Sequence, residues 1–72
     1  MEKITITTEF IELQDLLKVA SLVSTGGEAK IVIQEGEVRV NGETCTQRGR
    51  KIRPGDLVIY QGKEISVSYA DQ

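Results

Sequence analysis

Arg48, Arg50, Lys51 and Arg53 place four cations within six consecutive positions of a 72-residue chain. Charges packed this closely repel one another, and folding alone gives no reason to gather them. A polyanion relieves the repulsion by pairing with the cations and releasing its own counterions. Arginine outnumbers lysine in the run, and a guanidinium meets phosphate oxygens in a planar, bidentate geometry that an ammonium lacks. The competing reading is a solvated loop whose charge balances acidic helices elsewhere, since short basic runs are common on protein surfaces.

The distribution of charge sharpens the contrast. Residues 1–37 hold three basic and seven acidic side chains, a net of −4. Residues 38–53 hold the same four cations and Arg39 against Glu43 alone, a net of +4. Residues 54–72 hold Lys63 against Asp56, Glu64 and Asp71, a net of −2, and the whole chain also stands at −2. Basic charge is therefore local, in a molecule that is acidic as a whole.

Other chemistries are removed by counting. The chain has no His, so a Ser/His triad, a His general base and a His-ligated zinc site are impossible. Cys45 is the sole cysteine, which excludes an intrachain disulfide and a CxxC site and is compatible with a reducing cytosol. Phe10, Tyr60 and Tyr69 are the only aromatics, few for a protein that reads bases by stacking. Glu9, Glu12 and Asp15 could gather a cation, but acidic residues at a helix start are more simply a solvated complement to the helix dipole. Cys45 has no base nearby in sequence to activate it and reads as a small packed residue. We expect no cofactor, no metal, no small-molecule substrate and no enzyme. The longest apolar run, Leu57 to Tyr60, is far too short to span a membrane, and Met1 to Thr5 lack the plan of a signal peptide. The expectation is one soluble cytoplasmic domain over residues 1–72, too small for a second core and thinly stable.

The elements that must position the cations follow from periodicity. Ile4 and Ile6 alternate with polar neighbours and predict a first strand. Thr7 or Thr8 is placed to cap a first helix with Glu9 and Glu12 in its first turn and Phe10, Leu13, Leu16, Leu17 and Ala20 as its apolar stripe. Thr25 with Glu28 three residues later is a capping-box pattern. It opens a second helix of about nine residues that buries Ala29, Val32 and Ile33, with Gly36 as its C-terminal glycine. Val38 and Val40, then Asn41-Gly42, predict a hairpin whose return strand is Thr44-Cys45-Thr46. A basic loop from Arg48 to Arg53 ends in a Pro54-Gly55-Asp56 turn. Leu57 to Tyr60 predict a buried strand, Gln61 to Lys63 a turn, and Glu64 to Tyr69 a last strand. Ala70-Asp71-Gln72 remain as a frayed tail.

Helix, then Ser24 to Lys30, then Ile33 to Glu43 with Gly36, Val38, Val40 and Asn41-Gly42, then Arg50-Lys51-Ile52-Arg53-Pro54-Gly55-Asp56, resembles the RNA-binding domain named after small-subunit ribosomal protein S-four, the αL motif. The Gly-Gly-Glu-Ala-Lys segment is similar to a subfamily of small stand-alone bacterial members, and the match covers roughly residues 8–60. The resemblance implies an α+β fold of two short helices packed on a small, mostly antiparallel sheet. It implies non-catalytic binding of structured RNA, ribosomal or transfer RNA, with ribosomal subunits among the partners. Many members carry Arg-Leu-Asp at the start of the first helix where this chain has Glu12-Leu13-Gln14-Asp15. Many also carry a basic residue where this chain has Thr25-Gly26-Gly27. Both departures shift contact onto Lys18, Lys30, Arg39 and the loop of Arg48, Arg50, Lys51 and Arg53. Thr25, Gly26 and Gly27 are candidates for a separate reason, as a helix start that a phosphate could approach. Gly26 and Gly27 could equally serve only a tight turn, and Arg39 or Lys30 could pair with neighbouring acids. A second function class is a protein-interaction adaptor using the acidic helix surface and the off-stripe apolar residues Ile11 and Leu22.

Overall fold

The computed structural model describes residues 1–70. Its elements run β1 (Glu2–Ile6), β2 (Ile11–Glu12), α1 (Leu13–Val19), α2 (Gly26–Gln34), β3 (Val38–Val40), β4 (Glu43–Thr44), β5 (Lys51–Ile52), β6 (Leu57–Tyr60) and β7 (Lys63–Tyr69). Five strands form one sheet in the order β1-β7-β6-β3-β4; β2 and β5 form a separate two-stranded ladder. Within the large sheet only β1 and β7 run parallel, with Ile4 opposite Val67 and Ile6 opposite Tyr69. Both helices lie on one face of the sheet, so the fold is α+β with two short helices on a mostly antiparallel sheet, as expected.

The core lies between those layers. Leu13, Leu16, Leu17 and Ile33 from the helices meet Val38, Val40, Val58 and Ile65 from the strands, all essentially without solvent exposure. The strands contribute alternate residues, because side chains along a strand point to opposite faces. In β3 this buries Val38 and Val40 and leaves Arg39 exposed. In β6 it buries Val58 and Tyr60, so Leu57 and Ile59 are only half-buried and the strand is not covered on both faces. The hydroxyls of Thr5 and Ser68 face each other at 3.4 Å on the uncovered side.

Helix α2 is fixed by its own ends. The Thr25 hydroxyl accepts from the Glu28 amide at 3.1 Å, and the Glu28 carboxylate returns to accept from the Ser24 amide at 2.8 Å. At the other end Gly36 takes φ +79°, its amide donates to Ile33 O at 3.0 Å and the Glu37 amide to Val32 O at 3.1 Å. This double bond to the last carbonyls needs a left-handed residue, which glycine supplies without strain.

Three expectations are corrected. Helix α1 begins at Leu13, not after Thr7 or Thr8; the Thr8 hydroxyl instead donates to Phe10 O at 2.8 Å. Phe10 therefore leaves the apolar stripe, which consists of Leu13, Leu16, Leu17 and Ala20. The return strand stops at Thr44, although the Cys45 amide still donates to Val38 O at 2.9 Å and the residue is buried. The basic segment is not wholly loop, since Lys51–Ile52 is a strand. In the tail, the Ala70 amide donates to Ile6 O at 2.8 Å, while Asp71 and Gln72 lie outside the described residues.

Candidate functional site

Ile52 anchors the basic segment. Its side chain is fully buried, and its register partner is Ile11. Burial of one residue of the strand turns its neighbours outward, so Lys51 and Arg53 are both exposed on the same side. The segment is also tied to the start of α1. The Leu13 amide donates to Arg50 O at 2.9 Å and the Gln14 amide to Arg48 O at 3.0 Å. Helix α1 has no side-chain cap, so the basic segment's carbonyls do that work. The carbonyls face the helix, and the side chains of Arg48 and Arg50 are exposed.

The turn after the segment is equally fixed. Asp56 accepts from the Arg53 amide at 2.8 Å through one oxygen and from the Asn41 side-chain amide at 3.0 Å through the other. Partial desolvation pushes its carboxyl up, but these two hydrogen bonds and the charges of Arg50 and Arg53 outweigh it and hold Asp56 below its ordinary value of 3.8. Asn41, in a left-handed conformation at φ 53°, also accepts from the Leu57 amide at 2.9 Å. The Asn-Gly signal thus marks a hairpin turn and, beyond it, a clamp on the end of the basic segment.

From this end the site continues along α1. Gln14 and Lys18 are one helical turn apart and share a stripe. A methyl group built on Gly26 would lie 3.9 Å from Lys18 Nζ, so the end of α1 meets the start of α2. Lys30 is exposed one turn farther along α2. Backbone hydrogen bonds and helical spacing thus link Arg48, Arg50, Lys51 and Arg53 through α1 to Lys18, Gly26 and Lys30, a candidate basic ribbon. Among the described residues the ion pair found is Lys18 with Asp15 at 3.3 Å, which leaves the other cations of the ribbon without a carboxylate partner. Thr25 and Gly27 are exposed beside it. Neither Gly26 nor Gly27 has a left-handed φ, so the turn between the helices does not require them.

Residues 4–68 match the model of the S4 domain. The chain belongs to the S4 domain family. Relatives of the same small size include the Bacillus subtilis protein RlbA, named a probable ribosome maturation protein, 46% identical over 82% of this chain and 83% of its own length. YbcJ of Escherichia coli is 40% identical over 79% of this chain and 81% of its own length. The solution structure of YbcJ, described as revealing an αL motif involved in RNA binding, superposes with a TM-score of 0.73, covering 94% of this chain and 87% of that one at 35% identity. A tyrosine–tRNA ligase of Burkholderia lata is 36% identical over 74% of this chain, which corresponds to only 13% of that enzyme.

In this S4 domain the expected site residues do not all meet. Arg39 projects from the face of β3 opposite its buried neighbours Val38 and Val40, paired in register with Thr44 and Ile59, and nothing among the described residues links it to the basic segment. The apolar residues that suggested an adaptor are also placed differently. Ile11 and Leu22 pack against the core, while Val19 and Ile31 on the helices are exposed, at 58% and 57%. Phe10 lies beside the basic segment instead of in the core: Lys51 Nζ lies 5.0 Å from its ring centroid and Arg53 Cζ lies 5.9 Å from it. Helical spacing to Leu13 masked this. No helix among the described residues is long and apolar enough to cross a membrane.

Proposed function

We propose that this protein is a single-domain, non-catalytic RNA-binding protein of the cytoplasm that recognises structured RNA, ribosomal RNA or ribosomal particles foremost. The observation that carries this reading is the basic ribbon: four cations on a segment whose backbone is fixed to α1 and to Asp56, with side chains exposed and without carboxylate partners among the described residues. A fixed backbone under free cations suits a polyanion of defined shape. With few aromatics, the recognition is of RNA backbone geometry and 2′-hydroxyls rather than of stacked bases. The N–H groups of Gly26 and Gly27, beside Lys18, would donate to phosphate oxygens at the helix start. The ribosome maturation name of RlbA and the RNA-binding motif ascribed to YbcJ support the class of partner.

Sedimentation of a bacterial extract tests it. The protein should migrate with ribosomal particles at low salt and leave them at moderate salt or after ribonuclease. Migration at the top of the gradient in every condition would transfer the assignment to a protein-interaction adaptor, with Val19 and Ile31 as its exposed apolar contacts.

A further inference from the structure

We propose that Phe10 is a positioning residue for RNA, holding Lys51 and Arg53 side by side and unneutralised; this rests on the RNA-binding reading above. Lys51 in β5 and Arg53 just beyond its end flank the same Phe10 ring, where the two cations repel each other. Something must order them, and a carboxylate would be the usual means. Neither of two neighbouring carboxylates bonds to these cations. Glu12, the register partner of Lys51, accepts from the Gln14 side-chain amide at 2.9 Å. Asp56, held three residues from Arg53, spends its oxygens on the Arg53 backbone amide and on Asn41. In their place stands one half-buried aromatic face, with Lys51 at 5.0 Å and Arg53 at 5.9 Å.

The distinction is chemical. A carboxylate that orders a cation also cancels its charge and occupies its N–H donors. A ring face attracts the same cation through its quadrupole, cancels no charge and accepts no conventional hydrogen bond. Lys51 and Arg53 are thus restrained with no carboxylate among the described residues in direct contact, so their donors stay available to phosphate oxygens. Restraint before binding lowers the ordering cost at the moment of contact.

The first test needs no RNA. In the proton NMR spectrum of the wild-type protein, Lys51 Hε and Arg53 Hδ should be displaced by the ring current of Phe10; the displacement should vanish in Phe10→Leu and persist in Phe10→Tyr. Side-chain shifts at their ordinary positions in the wild type would overturn the proposal even if Phe10→Leu failed to fold. The second test uses unfractionated transfer RNA at low salt. Phe10→Leu should bind about fivefold more weakly and Phe10→Tyr like the wild type. In a Lys51→Gln/Arg53→Gln background, Phe10→Leu should cost nothing further. Equal affinity of Phe10→Leu and wild type, or an equal loss in the double-glutamine background, would overturn the positioning role alone. No binding by the wild type to this probe or to ribosomal RNA would overturn the RNA reading and this role with it.

Discussion

Asn41 and Asp56 show how one side chain can serve the turn and the site together. Asn41 tolerates a left-handed φ because its short polar side chain bonds locally, and that side chain reaches across to Asp56 and Leu57. Asp56 in turn fixes the backbone of Arg53. Because the folded protein holds the Asp56 carboxyl below its ordinary value, ionised Asp56 favours the folded state. The contribution is full above about pH 4 and is lost as pH falls through the folded value. Asp56→Asn should therefore lower the thermal midpoint near neutral pH and lose less of it on acidification to about pH 3. Parallel acid-induced losses in the two proteins would remove Asp56 from the acid response. Gly26 and Gly27 give the opposite kind of test. A methyl group at either position would meet its nearest neighbour only at 3.9 Å, and neither φ is left-handed. Packing and turn geometry leave both glycines unexplained, and the proposed approach of an RNA backbone would use the space they leave. The double Ala variant should melt no lower than the wild type, since alanine is the better helix residue, yet bind structured RNA about fivefold more weakly through lost amide contacts. A lower midpoint with unchanged affinity would return the glycines to a structural role.

At the scale of elements, the two helices differ in how their starts are made. Helix α2 was legible because its signals are local: Thr25, Glu28 and Gly36 all lie within or beside the helix they bound. Thr25→Ala should cost about 1 kcal/mol of stability, read by thermal or urea denaturation. The start of α1 was not legible. Phe10 continues the spacing of Leu13, Leu16 and Leu17, and Thr8 is a fair capping residue, so the local pattern favours a longer helix. What overrides it is distant: Ile11 pairs with Ile52, and the first amides of α1 reach Arg48 and Arg50. A partner that far along the chain leaves no periodicity to detect. The same distance hid the separation of Arg39, whose exposure was clear from alternation but whose face depends on which side the helices cover. The cations themselves were plain in the sequence; their mounting was not. Ile52 carries that mounting. Ile52→Ala should cost about 2–5 kcal/mol, because it empties a fully buried site that joins core and basic segment. Hydrogen exchange should show the Leu13 and Gln14 amides losing protection before those of α2. Uniform loss across both helices would mean that the β2–β5 ladder is not a separable support.

At the scale of the whole molecule, two surfaces are available and they differ in charge and texture. The proposed ribbon of Lys18, Lys30, Arg48, Arg50, Lys51 and Arg53 starts from the basic segment bonded to α1. The uncovered face of the sheet carries Arg39 among residues such as Thr5, Thr44, Ile59 and Ser68. The net charge of −2 means that long-range attraction to RNA is weak, so affinity must come from close contacts made one phosphate at a time. Counterion release then sets a quantitative expectation. With about five phosphate contacts, the logarithm of the binding constant should fall against the logarithm of salt concentration with a slope of roughly −3.5 to −4.5. Arg50→Gln/Lys51→Gln should leave the fold intact, weaken binding across all structured RNAs tested and reduce the steepness by about 1.4 to 1.8. Arg39→Gln should leave slope and affinity as they are, because nothing among the described residues links it to the basic segment. A comparable reduction for Arg39→Gln would place RNA on both faces of this small domain, and a flat salt dependence of the wild type would leave the ribbon without an electrostatic role.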